Sequence, residues 1–466
     1  MAKSCQSRDL RVVGQALLDQ LAGHLEASAD GKTTAVGFGS IEEVGTRLGL
    51  ERWLSGGNMS TAGLLEFAAD YCELSASYWH PGYMAHQIAP PSLPGVAADL
   101  MLAMTNNISL IYELAPAGTA VDQAVCRWLT TQAGWAPGGT ATLTHGGSLG
   151  NLISLTAARS RAFPSSWRSG STGRAVIMAP NTSHYSVHKA AAVMGIGLDG
   201  VVPLDTDPVG RIDVAKLPET IRAVKARGDE PVALVANACA TATGLYDRVG
   251  EIGELCAAAG IWMHVDSAHG ASVLLSPRLR ERLDGLPLAS SMTWDAHKML
   301  RVSGLCTGVV LRNAADLGTM FRQDASYLFH EDAVELDMGQ RTFETSKPPL
   351  GLKLLLTLAM LGEDGLRGYI EAQHDLAQAL WGMVTERADF TCPYRPESNV
   401  LCFRYVPAGD QQLVIRDRLR QDGRFYLSSV NVDGVVHLRV ALMSPNTTEE
   451  TLASLLDTIA AIGTGA

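Results

Sequence analysis

Gly260-Ile261-Trp262-Met263-His264-Val265-Asp266 is an apolar run that ends on a carboxylate. Ser291-Met292-Thr293-Trp294-Asp295-Ala296-His297-Lys298 is a second short run that ends on a lysine. Apolar stretches this short, bounded by polar residues, read as buried strands. A carboxylate closing one strand and a lysine 32 residues later, just past the next, suit a site for pyridoxal phosphate (PLP). The lysine amine condenses with the cofactor aldehyde as a Schiff base. The carboxylate keeps the pyridine nitrogen protonated, so the ring can accept electrons. A salt-bridged aspartate and a surface lysine near two strand ends would leave the same trace.

The neighbouring sequence extends the strand pattern. Ala175-Val176-Ile177-Met178, Pro231-Val232-Ala233-Leu234-Val235-Ala236 and residues 306–311 are further strand-like runs, separated by helical periodicity from about 98 to 310. That alternation predicts an α/β fold with a mostly parallel sheet. Residues 161–173, rich in Ser and Gly, read as a surface loop. Residues 8–78 carry helical periodicity, with Ser60 placed to cap a helix. His80-Pro81-Gly82 and Ala89-Pro90-Pro91-Ser92-Leu93-Pro94 frame an irregular loop. Beyond 350 a helix is expected over 350–361, strands at 400–405 and 435–440, and a last helix from about Asn446 with Glu450 in a capping box. The apolar stripe of that helix is Leu452, Leu455, Leu456 and Ile459. The expected division is an N-terminal helical segment (1–78), a large α/β domain that holds the cofactor (79–350) and a smaller C-terminal α+β domain (351–466).

Composition narrows the class. At 466 residues, 47% apolar and 18% charged, the chain can bury more than one core's worth of surface. Its formal charge of −11 argues against nucleic acid and anionic membranes as partners. Eight cysteines lie scattered without a CxxC pair, which predicts reduced thiols and no metal site. No signal-like N-terminus and no long apolar span stand out, so a cytoplasmic protein is expected.

Thr144-His145-Gly146-Gly147-Ser148-Leu149-Gly150-Asn151 precedes an amphipathic run. Small residues at a helix start expose backbone N–H groups at the positive end of the dipole, a combination that binds phosphate. An ordinary helix cap looks the same. In Thr182-Ser183-His184-Tyr185-Ser186-Val187-His188, His184 follows a strand and could lie against a planar cofactor and move a proton, while His188 reads as part of the next helix.

The order phosphate turn, His184, Asp266, Lys298 resembles the group II PLP-dependent amino-acid decarboxylases, whose members act on glutamate, aromatic amino acids, cysteine sulfinate or diaminobutyrate. Thr293-Trp294-Asp295-Ala296-His297-Lys298-Met299 is similar to the family's T-W-N-P-H-K-M/W. His264-Val265-Asp266-Ser267-Ala268 is similar to H-V-D-A-A, Ser183-His184-Tyr185-Ser186 to S-x-H-x-S, and Tyr112-Glu113-Leu114-Ala115-Pro116 to Y-E-x-A-P of the glutamate branch. The likeness covers roughly residues 75–465. It implies a fold-type-I PLP enzyme, a homodimer, and decarboxylation of an L-amino acid, small or acidic, to its amine. Lys298 would carry the cofactor, His297 contact its phosphate, Asp266 pair with the pyridine nitrogen and His184 stack on the ring. Gly147 and Ser148 would hold the phosphate, Ala268 lie against the ring and Thr243 approach a cofactor oxygen. Arg439 would bind a substrate carboxylate, although a strand-edge arginine reads equally well, and Gln87 is a polar candidate on the 80–92 loop.

Two departures stand out. Asp295-Ala296 replaces the usual Asn-Pro, which sets a carboxylate near the phosphate side. After Tyr327 the loop His330-Glu331-Asp332-Ala333-Val334-Glu335 has no tyrosine, the residue that in the family protonates the substrate carbon. His330 could substitute. Members lacking that tyrosine can form an aldehyde oxidatively instead of an amine. Transamination, another lyase outcome or a catalytically silent PLP-binding protein also stay open.

Overall fold

Ala175–Pro180 and Glu230–Asn237 are buried along nearly their whole length, the pattern of strands covered by helices on both faces. In the computed structural model, which describes residues 7–317, 320–321 and 336–464, they belong to a seven-stranded sheet. Its strands are β1 (Thr140–Thr144), β2 (Ala175–Pro180), β3 (Val201–Leu204), β4 (Glu230–Asn237), β5 (Trp262–Asp266), β6 (Ser291–Asp295) and β7 (Thr307–Leu311). The spatial order is β1-β7-β6-β5-β4-β2-β3. Strands β6, β5, β4, β2 and β3 run parallel; β7 is antiparallel to both its neighbours. Parallel strands end on one edge, where open α/β sheets place their ligands. The pairing of Val265 with Met292 puts Asp266 and the segment after Asp295 on that edge together.

A second, antiparallel sheet has the order β10-β11-β9-β8, with β8 (Phe390–Thr391), β9 (Val400–Tyr405), β10 (Ser428–Val432) and β11 (Val435–Ala441). Leu452, Leu455, Leu456 and Ile459 of the last helix pack into its core with Leu401, Phe403, Leu438 and Val440, as the stripe predicts. That helix starts at Glu449. Thr448 Oγ1 accepts from Thr451 N at 3.3 Å and Thr451 Oγ1 from Thr448 N at 3.3 Å, so a Thr–Thr pair takes the place expected of Glu450.

The helix expected to end near 361 does lose helical geometry at Gly362 (φ 68°, ψ 169°), where a second helical piece takes over and runs to Glu386. Leu350, Leu354, Leu366 and Ile370 share one apolar core with Val265, Met292 and Trp294, and Val400, Ala441 and Met443 join it. The core is continuous across residue 351. Within 161–173, Ser166–Ser169 forms one extra helical turn. Ser60 caps Thr61–Glu73 as expected, accepting from Gly63 N at 3.1 Å. The 80–92 segment is partly buried and threads along the small sheet. Met84 N donates to Tyr426 O at 2.8 Å, and Ala441 N donates to Met84 O at 2.7 Å. No helix among the described residues is long and apolar enough to cross a membrane.

The turn joining the two sheets generates a test. Gly244 has φ +72°, and a Cβ there would lie 2.2 Å from Ser398 Oγ and 2.6 Å from Val400 Cβ. Gly244→Ala therefore combines left-handed strain with overpacking and is expected to cost about 1–3 kcal/mol. The readout is the denaturation midpoint; an unchanged midpoint would show that the turn can open away from β9.

Candidate active site

The helix Gly147–Ala162 begins at the edge where β1 ends, and its cap Gly146 and first residue Gly147 carry no side chain beside their N–H groups. A Cβ on Gly147 would sit 3.0 Å from Asp295 Oδ2 and 3.3 Å from the Ala268 methyl. Backbone, carboxylate and methyl thus meet with no room for a side chain. They border a cavity of about 290 Å³ lined by His145, Gly146, Gly147, Ser148, Asn151, His184, Tyr185, Cys239, Thr241, Asp266, Ala268, His269, Asp295, His297, Lys298 and Leu305.

Asp266 closes β5. Its Oδ2 accepts from Asn151 Nδ2 at 2.8 Å, and its Oδ1 accepts from Thr293 Oγ1 at 3.3 Å and Ala268 N at 3.4 Å. His184 stands at the end of the segment after β2, with its Nδ1 2.8 Å from Ser186 Oγ. Burial lowers the His184 pKa against the opposing pull of Asp266, which favours the neutral ring.

Lys298 follows β6 by one turn, and its Nζ lies 3.0 Å from Asp295 Oδ2. Burial alone would push the ammonium down, but Asp295 outweighs it and holds Lys298 above the ordinary lysine value. The partner responds in kind: burial would raise the Asp295 carboxyl, yet Lys298 and His297 hold it below the usual carboxylate range. Thr307 Oγ1 fixes its other oxygen at 2.5 Å. His145 at the rim is held by Glu344, which also accepts from Thr144 Oγ1 at 2.6 Å.

Seven residues predicted from the sequence, Gly147, Ser148, His184, Asp266, Ala268, His297 and Lys298, meet around this one cavity. Three others do not line it. The Thr243 hydroxyl turns to Leu245 N at 3.5 Å, and Thr241 takes the lining position. Arg439 donates to the carbonyls of Ala242 (3.0 Å), Ala85 (3.0 Å) and Thr241 (2.7 Å), so it clasps the cavity wall from behind. Gln87 is buried, and its Nε2 has no acceptor among the described residues. His330 and the rest of 322–335 lie outside the described residues. Sequence reasoning assigned no role to Asn151, Thr241, His269 or Cys239: Asn151 ends the quoted Gly147 stretch, His269 follows the Asp266 motif, and Cys239 and Thr241 share the turn after β4.

PLP fits this set of groups. The N–H groups at a helix start that borders the cavity suit a phosphate, Asp266 suits a pyridinium and Lys298 an aldehyde. The Lys298–Asp295 contact yields a test that needs no cofactor. In Asp295→Asn the Lys298 amine should lose its proton at lower pH than in the parent, read from the pH dependence of its reaction with a small aldehyde. An unmoved profile would show that Asp295 does not set the charge of Lys298.

Comparison with known proteins identifies the family. Residues 60–406 match the pyridoxal-dependent decarboxylase conserved domain. An L-2,4-diaminobutyrate decarboxylase of Rhizobium meliloti (strain 1021) is 32% identical, over 85% of this chain and 81% of that protein. An L-aspartate decarboxylase of Metarhizium robertsii is 31% identical, over 74% and 70%. The crystal structure of mouse CSAD superposes with a TM-score of 0.89 at 25% identity, covering 97% of this chain and 99% of that one. An Oryza sativa TDC solved with PLP and tryptamine has the same fold (TM-score 0.91, 21% identity, 100% and 99% covered). With the matched span covering both the helix start at Gly147 and the strand ends at Asp266 and Lys298, the chain belongs to the pyridoxal-dependent decarboxylase family, as a PLP-dependent amino-acid carboxy-lyase of fold type I.

Proposed function

We propose that the protein removes the α-carboxylate of a small L-amino acid with a polar or acidic side chain, releasing CO₂ and the amine, with PLP carried on Lys298. The observation that carries this reading is the meeting of Lys298, Asp266 and the Gly147 helix start around one cavity. Bound there, PLP supplies a protonated conjugated ring that takes up the electron pair left by the departing carboxylate. Asp266, fixed by Asn151, holds a proton on the pyridine nitrogen. Gly147 and Ser148 offer N–H groups to the phosphate, and His297 flanks it. Ala268 and His184 line the same cavity, where they would flank the cofactor ring, with His184 the group that would pass a proton to the substrate carbon. Lys298 would hold the cofactor through its amine, with Asp295 beside it. Fixed charges and bond orientation supply most of the acceleration assigned to the protein.

Relatives whose names specify diaminobutyrate, aspartate or acidic amino acids support a small polar substrate. Arg439 and Gln87 do not line the cavity; four Arg439 N–H groups are spent on carbonyls and the Ser428 hydroxyl, so that arginine supports the wall and not a substrate carboxylate. A homodimer is supported by Leu93, Val96, Leu100, Met101 and Met104, an exposed apolar stripe along the helix Leu93–Thr105. Light scattering should give twice the chain mass, and a fully active monomer would refute the dimer. Cys126, Cys239, Cys256, Cys306 and Cys402 are buried free thiols, which supports a reducing compartment such as the cytoplasm.

A second reading follows from residues 328–350, which contain no tyrosine. Without that proton source, oxygen and water would convert the substrate to aldehyde, CO₂, ammonia and hydrogen peroxide. An amino-acid panel with product mass spectrometry separates the readings. Amine with stoichiometric CO₂ supports decarboxylation, aldehyde with peroxide supports the oxidative route, and no turnover across the panel would contradict both. Asp266→Asn should lower kcat by at least ~10²-fold, the scale of losing a key electrostatic stabiliser, and weaken PLP binding. A near-normal kcat would mean that another group holds the pyridine proton.

A further inference from the structure

Behind the cavity wall the buried hydrogen bonds run in one direction. An indole N–H only donates, and Trp262 Nε1 donates to Ser291 Oγ at 2.8 Å. The serine proton is then free for His264 Nδ1, 2.8 Å away. Burial lowers the His264 pKa, which favours a neutral ring with one proton, and the Asn151 oxygen facing Nε2 places that proton there. That proton goes to Asn151 Oδ1 at 3.0 Å. The orientation of the amide is forced, because the Asp266 carboxylate only accepts, so Asn151 Nδ2 must face it at 2.8 Å. The other Nδ2 hydrogen reaches Ser186 Oγ at 2.9 Å. Ser186, having accepted, donates to His184 Nδ1 at 2.8 Å, and its backbone N–H points to the same atom at 3.3 Å.

Two donors on Nδ1 leave the His184 proton on Nε2. Both Nδ2 hydrogens and the oxygen of the Asn151 amide are engaged, and Thr293 Oγ1, whose single proton goes to Asp266 Oδ1, lies 3.2 Å from the same oxygen. Asn151, His264, Ser291 and Ser186 are each at most 1% exposed, so water does not compete for these bonds.

We infer that Asn151 is a positioning residue that ties the Asp266 carboxylate to His184 through Ser186 and completes a one-way hydrogen-bond chain holding His184 as its Nε2–H tautomer. The catalytic meaning rests on the PLP reading above. There, the same amide would fix the charge that faces the pyridine nitrogen and make the stacked ring present an N–H to its surroundings. The tautomer itself follows from the chain alone. Donation onto Nδ1 stabilises the neutral ring, so the chain works with burial to keep His184 unprotonated.

The test uses ¹⁵N-histidine-labelled full-length protein without cofactor, with His184 assigned by His184→Gln. The expected spectrum has a pyridine-type Nδ1 and a pyrrole-type Nε2 at His184. Ser186→Ala leaves Nδ1 only the longer backbone contact, so a protonated-Nδ1 population should appear and the His184 titration should move to higher pH; Ser186→Thr should restore both. Asn151→Ala should loosen the tautomer in the same way. It should also weaken PLP binding about 10-fold or more, the scale of a lost hydrogen bond to a charged group. A wild-type His184 protonated on Nδ1, or a tautomer and titration unmoved by Ser186→Ala, would overturn the inference. Core filling alone would lower stability without moving the tautomer. Failure of the wild type to bind PLP would instead refute the functional reading and leave the tautomer result standing.

Discussion

The parallel pairing of β5 with β6 is the constraint on which the site depends. Side chains alternate faces along a strand, so a slip of one residue would turn each strand's inward set outward. The register His264 to Ser291 and Val265 to Met292 fixes where both chains leave the sheet. It delivers Asp266 on one strand end and, one turn past the next, Lys298. Strand β7 then returns antiparallel beside β6 and brings Thr307 to the Asp295 carboxylate. Trp294 and Met292, both fully buried beneath this edge, lock the register by packing.

Charge inside the cavity is sparse and paired. Lys298 is the one lysine or arginine among the lining residues, facing Asp295 directly and Asp266 across the pocket. Burial lowers the pKa of His184 and drives His269 down to about 3, so these rings act as hydrogen-bonding groups rather than as cations. A phosphate arriving at the Gly147 helix start therefore finds backbone dipoles, not arginines. The substitution of Asp295 for asparagine makes this edge more acidic than the family motif suggests. Its ion pair with Lys298 offsets that charge at the same place.

Much of the fold was legible because strands that are buried on both faces and helices with one apolar stripe leave periodic traces. The strand ends at Asp266 and Asp295, the helix start at Gly147 and the stripe from Leu452 to Ile459 could each be read locally. The break at Gly362 lies one residue beyond the expected helix end. What stayed hidden is tertiary. The partners of Asn151 come from three separate segments, around Ser186, on β5 and on β6, and no spacing announces them. Thr241 rather than Thr243 lines the cavity because the short turn at Gly244 swings the later hydroxyl into its own backbone. Arg439 is clasped by carbonyls of loops far away in sequence. The core continues across residue 351 because the helix beginning there packs onto the large sheet before it reaches the small one.

The claim on which the rest stands is that Lys298 holds the cofactor. Protein loaded with PLP, reduced with borohydride and digested, reports the modified lysine directly by peptide mass spectrometry. The account predicts a single pyridoxyl-lysine, at position 298, absent from Lys298→Ala. Reduction that marks a different lysine, or an equal yield in Lys298→Ala, would contradict it.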